Sequence, residues 1–137
     1  MRSFFIALSI LVPALVFGQD KSNYSALPLV PYKPFINING IDQRIALSRT
    51  DLLKYGLKVV LADKSFKVKE FHIVYDCHSR AYFDFSVKRY IGDSVDTKDS
   101  YLQNRIWVGD IITFECVVIE KAGSLFVMKN LDCWIIN

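Results

Sequence analysis

The sequence predicts an all-β protein, an immunoglobulin-like antiparallel β-sandwich of about seven strands with one or two short helical turns. Three observations carry that expectation. Short apolar runs alternating with period two recur after residue 35, separated by turn-forming residues. Within FKVKEFHIVYD, Phe66 to Asp76, the alternation changes phase: Phe66 and Val68 alternate with lysines, Lys69 and Glu70 stand side by side, and Phe71, Ile73 and Tyr75 resume on the other parity. A slipped phase marks a β-bulge or a strand that passes from one sheet to the other, which is how small sandwiches turn corners. Finally, a content of 52% hydrophobic and 14% aromatic residues supports a packed core and argues against disorder.

The amino terminus reads as a cleavable secretory signal. Arg2 supplies the positive start, Phe4 to Phe17 is apolar, and Val16, Phe17 and Gly18 precede Gln19 with a small residue at the expected cut. The apolar run is shorter than the roughly 18 to 20 residues that span a bilayer, and Pro13 interrupts it. The expectation is therefore an exported, periplasmic or secreted protein with no membrane span after removal of residues 1–18. Residues 19–34, with Pro28, Pro31 and Pro34, read as a proline-rich leader outside the core. Residues 35–137 then form one domain, since the 119 residues left after cleavage suffice for one core and not two. Loss of Arg2 lowers the net charge from +3 to +2, too slight to imply nucleic acid.

Each element has a local reason. Phe35 to Ile38 is a short strand ended by the turn pair Asn39 and Gly40. In SRTDLLKYG, Ser48 caps a short helix, Asp51 completes a capping box, Leu52, Leu53 and Tyr55 form its apolar stripe, and Gly56 ends it. Leu57 to Ala62, Phe66 to Tyr75 and Tyr82 to Tyr90 are strands. In the last of these Phe83, Phe85 and Val87 alternate with Asp84, Ser86 and Lys88, which predicts one buried and one wet face. Tyr101 to Trp107 reads as a helical turn, and Ile111 to Glu120, Leu125 to Met128 and Leu131 to Ile136 complete the strands.

No GxSxG, HExxH, P-loop or GxGxxG occurs, so no catalytic, cofactor-binding or metal residues are assigned and no enzyme is expected. Asp76, Cys77 and His78 bring together carboxylate, thiol and imidazole, but adjacent strand residues point to opposite faces, so a strand end with exposed polar groups is the plainer reading. By its parity His72 is expected on a solvated face. Lys64, Lys67, Lys69, Lys88 and Arg89, diluted by Glu70 and Asp84, read as a solvated sheet face that discourages edge pairing. Cys116 and Cys133 fall on the apolar parity of late strands, either as buried thiols or as a disulfide if those strands are neighbours, and Cys77 is left over. Trp134 opposes the parity of Cys133 and Ile135. The longest polar loop, Gly92 to Ser100, carries Asp93, Asp96 and Asp99 and is the expected contact surface for a protein partner in the cell envelope. An alternative, a carbohydrate-binding or adhesive module, would use exposed Trp107, Trp134 and tyrosines.

The succession SRTDLLKYG, LKVVLAD, the bulged FKVKEFHIVY, SYLQNRIWVGD, IITFECVVIEKAG and LFVMKNLDCWII resembles the C-terminal domain of the gliding-motility protein GldM over roughly Gly40 to Ile136. The matching features are the phenylalanine-bearing bulged strand, with Phe66, Val68 and Phe71, and the Gly109 and Asp110 pair leading into Ile112 and Phe114. The resemblance implies a non-catalytic docking domain in or near the type IX secretion and gliding apparatus. The chain lacks that family's membrane helix and preceding domains, which favours a stand-alone relative.

Overall fold

A computed structural model describes residues 26–77 and 84–137 of the chain. Eleven strands and two short helices are found among the described residues: β1 (Leu29–Val30), β2 (Phe35–Ile38), β3 (Ile41–Gln43), β4 (Ala46–Ser48), α1 (Arg49–Tyr55), β5 (Leu57–Val60), β6 (Lys67–Cys77), β7 (Asp84–Ile91), β8 (Ser94–Val95), α2 (Ser100–Arg105), β9 (Ile111–Lys121), β10 (Ser124–Met128) and β11 (Leu131–Ile136). They form two sheets in an all-β, sandwich-like fold. The smaller sheet runs β3-β2-β5-β8. The larger is built on β9, which pairs with β6 on one edge and with β10 and β11 on the other; β7 pairs with the far edge of β6, and β1 and β4 extend β10 and β11.

The count exceeds the seven expected because β1, β3, β4 and β8 are only two or three residues long. Two of these pair in parallel, β1 with β10 and β4 with β11, whereas the expectation was antiparallel throughout. The proline-rich segment is also not wholly a leader. Val127 N–H donates to the Pro28 carbonyl at 3.0 Å and Lys129 N–H to that of Tyr32 at 3.1 Å, so residues 28–32 are stitched to the sheet and the domain begins ahead of residue 35.

Side chains from both sheets meet in one core. Ile36, Ile38 and Val59 of the smaller sheet face Phe71, Ile73, Tyr75, Ile112, Phe114 and Ile135 of the larger. Phe71 stacks on Tyr90 at 5.4 Å and lies 6.2 Å from Phe114. Tyr75 donates its hydroxyl to the buried Asp110 carboxylate, tying the C-terminal part of β6 to the residue before β9. That bond gives the Gly109 and Asp110 pair its role: Gly109, at φ 94°, turns the chain, and Asp110 anchors it.

The phase slip in β6 is present. Pairing with β9 is interrupted between Val68 and Glu70 and again between Glu70 and His72, where Phe71 alone on β6 faces Cys116 and Val117 on β9. The second irregularity is a bulge in β9, with Cys116 at φ 50°. Inward positions on β9 therefore run Ile112, Phe114, Val117 and Ile119, all buried, and Cys116 leaves the core parity expected of it.

The face expected for β7 is reversed. Val87 is 43% exposed, while Ser86, Lys88 and Tyr90 share the inward side with Tyr75, Ile73 and Phe71. Polar groups sit there because α2 and the loop before it cover this edge with Tyr101 and Asp99, which bond to Ser86 and Lys88 respectively. The side chain of Phe85, and Phe83 and His78 entirely, lie outside the described residues.

Candidate interaction surface

The polar loop Gly92 to Ser100 spends its carboxylates on the fold. Asp93 pairs with Lys58 at 3.4 Å, and its carbonyl accepts from Val59 N–H at 2.7 Å. Asp96 accepts from the Lys98 N–H at 2.8 Å in a local turn. Asp99 caps α2, accepting from Leu102 N–H at 2.9 Å, and also receives Lys88 at 2.7 Å and the Tyr90 hydroxyl at 3.0 Å. Lys88, expected on the wet face, is thus a partner of a capping carboxylate.

Burial works to raise the Asp99 carboxyl, but the hydrogen bonds from Lys88, Leu102 and Tyr90 outweigh it and hold the group below the ordinary carboxylate value. Burial, then the Asp99 carboxylate, push the Tyr90 phenol well above its usual value. A carboxyl lowered on folding stabilises the native state above its unfolded value, about 4, and this contribution is lost as pH falls through the folded value. Asp99→Asn is expected to flatten the fall in urea midpoint below about pH 4. Parallel midpoint curves for wild type and variant would contradict this role.

A different part of the surface is apolar. β11 presents alternate residues outward, so Trp134 is 52% and Ile136 47% exposed, while Cys133 and Ile135 are buried. The parallel register with β4 sets Ala46 beside Trp134 and Ser48 beside Ile136, and Trp134 N–H donates to the Ile45 carbonyl at 2.8 Å. Ile45 is itself strongly exposed. From the neighbouring sheet Ile41 joins Tyr55 and Ile136 around a shallow depression of about 200 Å³. Backbone bonds from Gly109 N–H to the Ile135 carbonyl, 2.8 Å, and from Ile135 N–H to that of Asp110, 2.9 Å, bring the turn with Trp107 and Val108 to the same strand. Trp107 is 48% exposed, with the Arg49 guanidinium 5.0 Å above its ring. Large apolar groups gathered in this way are unusual on the surface of a soluble domain and mark contact sites.

A larger cleft, about 490 Å³, opens at the end of the sandwich between the stitched segment and the turn after β5. Its apolar floor includes Leu61, Ile119 and Met128, and Lys33, Arg44 and Lys129 outnumber Asp63 among its charged groups. Arg44 lies 3.9 Å from the Phe35 ring centre. An apolar group bearing a negative charge suits this lining.

The remaining residues singled out in the sequence separate as follows. Cys116 and Cys133 do not pair: Cys133 is opposite Ile112, four residues along β9 from Cys116, which is on the order of 13 Å along a strand. Burial pushes the Cys133 thiol up to about 12, as suits a small core hydrophobe. Asp76 and Cys77 end β6, and their side chains lie outside the described residues. His72, expected in solvent, is 3% exposed. It is the partner of Arg89 on β7 and of Glu115 on β9, so the position of β6 between those two strands leaves it flanked on both sides. Sequence reasoning missed the cluster His72, Glu115 and Cys116, because the β9 bulge that assembles it falls within an unbroken apolar run.

No helix of the described residues is long and apolar enough to cross a membrane. No protein-family model matches the chain, and no curated protein matches it either.

Proposed function

We propose that the protein is a non-catalytic interaction domain of the cell envelope that docks a protein partner through the apolar face around Trp134. The observation that carries this reading is the half-exposed indole of Trp134 on the same face of β11 as the half-exposed Ile136, with the exposed Ile45 bonded to Trp134 through its backbone carbonyl and the exposed Ile41 sharing a depression with Ile136. Aromatic anchors held by a scaffold are the usual centres of protein contacts. The export signal read in the sequence of residues 1–18 supports a partner in the periplasm or beyond, and the resemblance to the GldM C-terminal domain supports one in the type IX secretion and gliding apparatus. The aspartate loop is secondary in this reading, because its carboxylates already serve the fold.

The test is capture of envelope proteins from the native host by tagged wild type and by Trp134→Ala. The variant is expected to lose at least about 2 kcal/mol, roughly thirtyfold in affinity, for the captured partner. Far-UV circular dichroism should be unchanged, since the ring is outside the core. Equal capture by the two proteins would sink the proposal. The exposure of both Trp107 and Trp134 also favours a second reading, a carbohydrate-binding module, and retention of both wild type and Arg49→Ala on host polysaccharide in place of protein would select it.

A further inference from the structure

We propose that His72, Glu115 and Cys116 bind one borderline divalent metal ion of the zinc type, joining β6 to β9 at the bulge in β9. One imidazole nitrogen, one carboxylate oxygen and one thiol sulfur lie within 4.8 Å of one another. A tetrahedral ion with bonds of about 2.0 to 2.3 Å holds its ligand atoms roughly 3.3 to 3.8 Å apart, so rotation of these side chains within their present positions closes the set. The three residues come from two strands. His72 and Glu115 are a cross-strand pair, and side chains of such a pair share a face. In a regular strand Cys116 would point the other way. The bulge opposite Phe71, with Cys116 at φ 50°, brings its sulfur to the same side as the carboxylate.

The chemistry of the donors selects the ion. A mixed nitrogen, oxygen and sulfur set suits zinc or cobalt and disfavours magnesium and calcium, which take oxygen ligands. Thiolate and carboxylate together supply two negative charges, which balance a divalent cation at a partly buried site. Arg89 pairs with His72 across the strands, but its guanidinium is engaged by the Glu70 carboxylate, with Nε donating at 2.9 Å, so its charge is met locally. Burial also distinguishes metal binding from nucleophilic catalysis. With His72 3% exposed, a substrate has no approach to the imidazole, whereas an ion needs none beyond the ligand atoms. On binding, the Cys116 thiol releases its proton to solvent and the metal–sulfur bond replaces the sulfur–hydrogen bond. Three protein ligands leave the fourth position to water.

The test uses cobalt(II), whose bond to thiolate gives an intense near-ultraviolet charge-transfer absorption. Titration of the purified protein is expected to give that band with one ion per chain. Cys116→Ser should abolish the band, and His72→Ala should weaken binding at least about tenfold. Cys133→Ser and the double variant Cys77→Ser, His78→Ala should keep both. A band that survives Cys116→Ser, or that disappears only in the Cys77, His78 variant, overturns the assignment. X-ray absorption at the zinc edge on the wild-type protein gives a reading independent of variant folding: one sulfur at about 2.3 Å with nitrogen and oxygen neighbours is expected, and a shell without sulfur refutes the site.

Discussion

Phe114→Ala is expected to lower the stability of the domain by about 3 to 5 kcal/mol, the range for deleting a large aromatic side chain from a packed interior. Phe114 is fully buried on β9, the strand with neighbours on both edges, and its ring lies against Phe71, itself stacked on Tyr90. No end of the sheet is free to close over the space that truncation leaves. Domains of this size are stable by about 5 to 15 kcal/mol in total, so the loss would be a large part of the whole. Val87→Ala, on the exposed side of β7, is expected to change stability by less than about 0.5 kcal/mol. The comparison is read from urea midpoints, and similar values for the two variants would show that the assignment of inner and outer faces is wrong.

Gly56→Ala is expected to be nearly as damaging, although it adds one methyl group outside the main core. Gly56 ends α1 at φ 72° and ψ −165°, a region of backbone space open essentially to glycine alone, and forcing another residue there costs on the order of 1 to 3 kcal/mol. A Cβ at this position would also stand 2.4 Å from the carbonyl oxygen of Val95. That oxygen belongs to β8, which pairs with β5, so it is backbone within a sheet and yields only if the sheet does. Conformational strain and collision add, and a loss of at least about 3 kcal/mol should appear in the thermal or urea transition. Gly40→Ala meets no atom within 4 Å and carries the conformational part alone, so it should be the milder of the two.

Gly56 also shows what local sequence could convey. Ser48, Asp51 and Gly56 mark both ends of a seven-residue helix, and the cap is present, with Asp51 N–H donating to the Ser48 hydroxyl at 3.2 Å. Long strands were equally legible, because four or more alternating positions define a period, and the doubled polar pair Lys69 and Glu70 betrayed the bulge in β6. The strands β1, β3, β4 and β8 were not, since two or three residues have no period and their pairing depends on partners far along the chain, such as Val30 with Met128. The bulge in β9 was hidden for the opposite reason. In CVVI, Cys116 to Ile119, every residue is apolar, so either parity satisfies the pattern, and only the register with β6 decides that Val117 points inward.

Lys88 illustrates a third limit. Its alternation with Val87 is real, but which face is wet depends on α2, whose Asp99 cap lies eleven residues later and draws the lysine inward. The candidate surfaces divide in the same way. Outward placement of Trp134 follows from its parity against Cys133 and Ile135, while Ile41, which starts the three-residue β3, and Ile45, which precedes the three-residue β4, gave no local signal. The acidic loop was conspicuous in sequence because carboxylates in a loop look available. Their hydrogen bonds to Lys98, Leu102 and Tyr90 are tertiary or turn contacts that composition does not reveal.

The claim that the Trp134 face is where this domain meets its partner is tested most directly by a photo-crosslinking side chain placed at that position in the native host. The result predicted is a discrete crosslinked adduct from position 134, with none from position 96 in the aspartate loop, which is also exposed. An adduct from position 96 and none from position 134 would contradict it.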